Sequence, residues 1–306
     1  MQFGVHLANS GPNARPESIV ALAVKADELG FSSIWVSDHV VIPTQMTSEY
    51  PYGRDRGFIV ENVANYYEPL TTMTYCAAAT QQVRIGTCVL VLPYRNPVLT
   101  AKMIATLDAF SGGRVILGAG SGWFAEEFAA LQAPPFEARG EVTDEWIEIF
   151  RKLWKQREPR HEGKHYRFES LRCEPKPAQA GGPPVWIGGH SKGALRRVGE
   201  KGDGWLAVRI TPEQIAEGAT SIRRAADSAK RDADRIALVV WVNMELGVQP
   251  AGAPAPGHLC GTPDEVYRAI AAYRAVGVSH MVVSVPADRA PEALERFAAT
   301  VLRRFS

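Results

Sequence analysis

Arg114-Val115-Ile116-Leu117-Gly118-Ala119-Gly120-Ser121-Gly122-Trp123 runs from an apolar, strand-like segment straight into a glycine-rich stretch. A strand that ends in a glycine turn is where α/β proteins offer backbone amides to an anionic or planar ligand. The dinucleotide fingerprint G-x-G-x-x-G fails here, because position 123 holds tryptophan where the third glycine belongs. A nucleophile elbow fails as well. Ser121 has glycines at −1 and +1, whereas that motif needs them at −2 and +2. A flat indole beside the turn suits an aromatic cofactor or a pocket wall, so the surrounding chain must say which sheet the turn decorates.

Outward from it, short β-branched runs alternate with longer segments of helical period. Strands are expected at 2–7, 33–36, 84–92, 114–117, 185–187, 204–208, 236–244 and 280–283. Helices are expected to begin near Pro16, Glu68, Pro97, Glu141, Ser191, Pro212, Pro263 and Pro291. Thr211-Pro212-Glu213-Gln214 and Thr262-Pro263-Asp264-Glu265 each read as a capping box with proline at the first helical position. Asn96-Pro97 follows the same logic, and Gly30, Gly202 and Gly277 mark helix ends. Eight βα units with near-continuous apolar strands fit a closed (β/α)8 TIM barrel better than an open doubly wound sheet.

The expected organisation is one barrel domain over 1–306, with insertions at about 40–67, 156–184 and 249–261. The first insertion carries Tyr50, Tyr52, Tyr66 and Tyr67 with Arg54, Asp55 and Arg56, and reads as a lid. The second contains a hairpin expected to pair 165–168 with 171–174, and the third, rich in Ala, Pro and Gly, reads as a mobile loop. With a formal net charge of +1 and 22% charged residues, nothing points to nucleic acid or an anionic membrane surface. No apolar run approaches the roughly 18 residues of a membrane span. Cys76, Cys88, Cys173 and Cys260 form no C-x-x-C pair, which argues for a reduced, cytoplasmic setting and against a zinc site.

Barrel enzymes build their sites at the C-terminal strand ends. His6, Asp38-His39, Thr87-Cys88-Val89, Gly120 with Trp123, Gly188-Gly189-His190-Ser191, and Trp205 to Arg209 occupy those ends here. His39 reads as a proton donor, or else Asp38-His39 caps the following turn. No H-x-H or H-E-x-x-H spacing joins the histidines, so no metal is expected. Gly188-Gly189-His190-Ser191 opens a helix and reads as an anion cradle, with a plain serine N-cap as the alternative. Trp35, Trp186, Trp146 and Trp154 read as packing. Tyr52, Trp205 and Arg209 read as an aromatic-walled substrate pocket with an anion contact.

Taken together, Trp35-Val36-Ser37-Asp38-His39, Gly86-Thr87-Cys88-Val89-Leu90, Arg95-Asn96-Pro97, Ser111-Gly112-Gly113-Arg114, 118–128, 184–191 and Gly202-Asp203-Gly204-Trp205 carry a likeness. In these blocks, which span nearly the whole chain in order, the sequence resembles the bacterial luciferase-like superfamily, and within it the actinobacterial branch that uses the deazaflavin coenzyme F420. The resemblance implies a TIM barrel and a tricyclic ring lying across its mouth. It further implies a strand-three bulge with a non-prolyl cis peptide at Cys88-Val89, an active-site histidine at His39, and a phosphate site at 188–191. Where some deazaflavin enzymes carry a glutamate and an asparagine after strand four, this chain has Trp123 and Glu126. The activity implied is hydride transfer between F420 and a small organic substrate, with His39 positioned by Asp38 and a homodimeric assembly. The alternatives are an FMN-dependent monooxygenase and a non-catalytic flavin-binding barrel.

Overall fold

The chain opens with β1 (Gln2–His6), α1 (Pro16–Glu28) and β2 (Ser33–Val36), then α2 (Pro69–Ala79), β3 (Arg84–Thr87), β4 (Leu90–Val91) and α3 (Pro97–Phe110). It continues with β5 (Val115–Gly120), α4 (Ala125–Ala130), α5 (Arg139–Lys155), β6 (His161–Glu162), β7 (Arg167–Phe168), β8 (Val185–Gly188) and α6 (Lys192–Lys201). The last third holds β9 (Gly204–Val208), α7 (Pro212–Ser228), β10 (Ala237–Leu246), β11 (His258–Gly261), α8 (Pro263–Ala275), β12 (Val278–Ser284) and α9 (Ala290–Thr300). These elements come from a computed structural model that describes residues 1–11, 14–52, 65–250 and 252–305. Arg54, Asp55 and Arg56 of the expected lid lie outside the described residues.

All the barrel strands are parallel. The ring runs β1-β2-β3-β5-β8-β9-β10-β12 and closes where β12 pairs with β1, Met281 opposite Phe3. Strand residues alternate between two apolar clusters, as the two-residue pleat requires. Ile34, Leu117, Ile187, Ala207, Val240 and Val283 face the helices. Trp35, Ile116, Trp186, Leu206, Val239, Trp241 and Val282 fill the barrel. Trp35 and Trp186 stack at 5.3 Å and take up most of the floor, as their strand positions imply. Gly86 sits opposite: a Cβ there would stand 2.5 Å from the Trp35 ring.

The helix signals act as read. Thr211 with Gln214, and Thr262 with Glu265, form complete capping boxes, and Asn96 accepts from the Val98 and Leu99 amides. Trp146 and Trp154 bury against the barrel, donating to the Arg95 and Ala101 carbonyls. Among the described residues no helix is long and apolar enough to cross a membrane.

Four local expectations need correction. The run 84–92 is two strands, broken at a cis Cys88–Val89 peptide. Gly118-Ala119-Gly120 belongs to β5 and is no turn; its glycines are needed because a Cβ on Gly118 would stand 1.7 Å from the Thr87 carbonyl oxygen. The hairpin pairs His161 with Phe168 and Glu162 with Arg167, not 165–168 with 171–174, because Glu145 gathers the His165 and Tyr166 amides. Residues His258–Gly261, read as the end of a mobile loop, pair in parallel with β10. Gly202 does end α6 as expected, though in an extended conformation where Gly30 and Gly277 are left-handed.

Replacing Gly118 by Ala forces β3 and β5 apart, and should cost about 3 kcal/mol in urea unfolding. Gly252→Ala, where a Cβ meets open space, should change stability by less than about 0.5 kcal/mol.

Candidate active site at the barrel mouth

The break in strand three shapes the mouth. Thr87 Oγ1 donates to the Gly118 carbonyl at 2.8 Å, tying β3 to β5 just below the cis peptide. Above it, the partly buried Val89 side chain projects between β5 and β8. A Cβ on Gly120 would lie 2.3 Å from one Val89 methyl, and one on Gly188 would lie 2.7 Å from the other. The two bare positions let the neighbouring strands close on Val89, leaving an apolar shelf. Thr87, expected to touch a cofactor, is buried and spent on Gly118.

His39 stands beside that shelf. Its Nδ1 lies 2.6 Å from Oε2 of Glu127, a fully buried residue of α4. Glu127 is a hub: Oε2 also accepts from the Tyr94 hydroxyl at 2.9 Å, and Oε1 accepts from the Val40 and Val41 amides. A carboxylate accepting from the ring's Nδ1 fixes the imidazole's orientation. Tyr66, Trp123 and Phe124 present ring edges and faces around it at 5.2, 5.9 and 6.0 Å. Burial, reinforced by Glu127, pushes the Tyr94 hydroxyl far above its ordinary range, so it stays a donor.

Asp38 does not position His39. Successive residues at a strand end point to opposite sides, and Asp38 turns to Arg95, whose Nη1 and Nη2 reach its two oxygens at 2.6 and 2.8 Å. Asp38 also accepts from the Val91 amide, and Arg95 reaches Glu68, the N-cap of α2. This buried fork welds β2, β4 and α2 together. Glu126, the neighbour of Glu127, binds the Thr47 and Ser48 hydroxyls at 2.7 and 2.6 Å. Burial opposes its ionisation, but those hydroxyls and the Thr47 amide prevail and hold the carboxyl at about 2. The two adjacent carboxylates of α4 thus clasp the chain after β2 at two points.

Across the mouth, Gly189 adopts φ +107°. His190 Nε2 accepts from the Val208 amide at 3.0 Å, which leaves Nδ1–H as the ring's donor; burial lowers its pKa and keeps the ring neutral. Ser191 caps α6 by accepting from the Ala194 amide, as the N-cap reading of this turn expects. Tyr52 lies over the turn, its ring 5.2 Å from His190, and burial raises its hydroxyl to about 12. Trp205 is no pocket residue. It faces the helices against Gly218 of α7 and supports the turn from behind by donating to the Gly189 carbonyl at 2.9 Å.

The third side of the mouth joins β1, β9 and β10. His6 Nε2 lies 2.8 Å from Ser37 Oγ, and its ring stacks on Trp241 at 4.6 Å. Burial, then the charge of Arg209, lowers His6 to about 4. Arg209 has φ +51° and holds its guanidinium carbon 5.5 Å from the Trp241 ring centre. The structure therefore assembles His6, His39, Tyr52, Cys88, Val89, Gly120, Trp123, Gly188, Gly189, His190, Ser191 and Arg209 at one end of the barrel. It adds Tyr66 of the expected lid and Tyr94 after β4, together with Glu127 and Trp241, which sequence reasoning missed. The pair Glu126-Glu127 at the head of a short helix was the available signal. Among the described residues no group of His, Cys, Asp and Glu is close enough to hold a metal ion.

The chain is thus a closed parallel (β/α)8 barrel with a buried histidine–carboxylate pair at its C-terminal rim and a glycine turn opposite. The luciferase-like monooxygenase family matches residues 1–253. An uncharacterised protein of Mycobacterium tuberculosis is 31% identical over 210 residues, 69% of this chain and 72% of that one. The chain belongs to the luciferase-like monooxygenase family. It is also similar to the F420-dependent glucose-6-phosphate dehydrogenase of Amycolatopsis mediterranei, 24% identical across 94% of both chains. The coenzyme F420-dependent tetrahydromethanopterin reductase of Methanopyrus kandleri, 20% identical, shares the fold with a TM-score of 0.81 over 100% of this chain and 99% of that one.

Acid should expose the buried histidines. His280, in the barrel floor against Ser33 Oγ, is held at about 3, chiefly by burial. Both His280 and His6 refuse a proton that the unfolded chain accepts below its ordinary histidine pKa. Stability is therefore full above about pH 6.5 and falls with acidification from there toward pH 4. Two protons give a slope of roughly 2.7 kcal/mol per pH unit in that window, and His6→Gln should remove about half of it in pH-dependent urea titrations.

Proposed function

We propose that this barrel is an oxidoreductase that transfers a hydride between coenzyme F420 and an organic substrate, with His39 as the proton-handling residue. The observation that carries the reading is the buried Glu127 carboxylate on His39 Nδ1, which holds a titratable ring beside an apolar shelf at the barrel mouth. Likeness to F420-dependent enzymes across nearly the full chain supports the cofactor.

The residues present fit such a group. Val89 offers a flat apolar surface between two positions that tolerate no Cβ, and Gly189 leaves a bare turn below Tyr52. His190 Nδ1–H, the Ser191 hydroxyl and the N-terminus of α6 would hold the phosphate. When bound, the deazaflavin supplies the hydride-carrying carbon. His39 then holds or moves the proton at Nε2, Glu127 and Tyr94 keep the ring in place, and Tyr50, Trp123 and Tyr66 exclude water.

Titration of the purified protein with F420 and with FMN, followed by fluorescence quenching, tests the cofactor. Selective F420 binding is expected. Selective FMN binding with oxygen consumption would turn the reading to a flavin monooxygenase, and tight binding without any turnover would leave a carrier. His39→Ala should lower kcat by about 10²–10⁴-fold while cofactor affinity moves less than about threefold. An unchanged kcat removes His39 from the mechanism.

The expected homodimer has a candidate face on α3. Leu99, Met103 and Phe110 share one side of that helix and are 60%, 39% and 78% exposed, with Tyr75 of neighbouring α2 at 54%. A second copy of the chain is the proposed occupant of this stripe. Phe110→Arg should convert the dimer to monomer in light-scattering chromatography; a wild-type monomer sinks this reading.

A further inference from the structure

We infer that the substrate of this site is an organic acid whose carboxylate docks between the Arg209 guanidinium and the Trp241 indole N–H. The inference rests on the mouth being a substrate site, as proposed above, and names what that site recognises.

Two buried donors meet there without partners. Arg209 Nε and Trp241 Nε1 are both shielded from solvent and, among the described residues, have no hydrogen-bond partner, and Trp241 is 9% exposed. A buried donor left unpaired costs about 1–3 kcal/mol, so two adjacent ones imply an acceptor that arrives with a ligand. The other arginine of the mouth, Arg95, is already paired to Asp38 and Glu68. His6 and His190 are both held neutral. Among the described residues, Arg209 forms no ion pair.

The backbone is built around this side chain. Arg209 sits at φ +51°, a region that disfavours side chains. Its amide is held by the Trp241 carbonyl at 2.9 Å. Gly257 closes on it from the other side: a Cβ there would stand 2.4 Å from Arg209 Cα. Gly257 is itself anchored, its carbonyl accepting from the Asn243 amide at 2.8 Å. A strained arginine, clamped by a glycine and aimed at an indole, is expensive unless the guanidinium has a task.

The location favours substrate over cofactor. Arg209 neighbours Trp241 and His6, and His6 bonds Ser37, two residues before His39. The anion cradle at 188–191 already supplies a phosphate site. A planar guanidinium with an adjacent N–H suits the two oxygens of a carboxylate, and the aromatic surroundings suit a flat acid.

Benzoate serves as the probe, with benzamide as its neutral counterpart and tryptophan fluorescence as the readout. Wild type should bind benzoate at least about tenfold more tightly than benzamide. Arg209→Gln should abolish that preference, Arg209→Lys should keep part of it, and Trp241→Phe should weaken benzoate severalfold. Arg209→Gly relieves the strained φ, so its Tm should equal or exceed that of wild type while the preference is lost, an outcome that a purely structural arginine would not give. Equal binding of benzoate and benzamide by wild type overturns the inference. So does weakened cofactor binding in Arg209→Gln together with competition between inorganic phosphate and the cofactor, which would assign the arginine to the cofactor's phosphate. Loss of F420 and FMN binding by wild type, with the benzoate preference intact, would instead overturn the proposed function alone.

Discussion

The approach of the third barrel strand to its neighbour β5 governs this structure. At Thr87 the chain leaves the regular ladder, and its carbonyl occupies the space where any side chain at 118 would begin. Close-packed interiors do not yield to such overlap, so β5 must be bare at 118 and 120, and β8 bare at 188. Three consequences follow from that one contact. Val89 is lifted into the mouth as a shelf. β4 resumes beside β5, bringing Val91, Tyr94 and Arg95 to the rim, where they meet Asp38 and Glu127. The floor below is left to Trp35 and Trp186.

Electrostatics then sorts four neighbouring acidic and basic groups into separate duties. Asp38 and Arg95 neutralise one another in a bidentate fork that joins three elements. Glu127 serves His39 and Tyr94 from complete burial, and Glu126 fastens the loop after β2. Asp38 and Glu127, the two buried carboxylates, are each surrounded by donors, as groups removed from water must be. Arg209 and Trp241 break that pattern, which marks their side of the mouth as unfinished without a ligand.

Much of this was legible in the chain. The eight βα units, both capping boxes, the inward tryptophans at 35 and 186, and the 188–191 turn follow from periodicity and local chemistry. The cis peptide at Cys88–Val89 was implied only by family resemblance. The His39 partner was misassigned because adjacency along the chain was taken for adjacency in space, and at a strand end the two are opposites. Trp205 was placed in the pocket by its position near a strand end, yet its parity within β9 sends it outward to Gly218.

The sequence by itself determined the barrel, because hydrophobic period, caps and glycine ends act over a few residues and need no distant partner. Tertiary structure alone decided the chemistry of the rim. Glu127 lies 88 positions from His39, and Arg209 lies 32 from Trp241. The glycine-rich stretch at 118–122 shows both sides of this: its composition announced that something must come close, and only the closed sheet showed that it was the carbonyl of Thr87. Local propensities act through bonds between neighbours, whereas a site is made by strand ends that meet only once the barrel has closed.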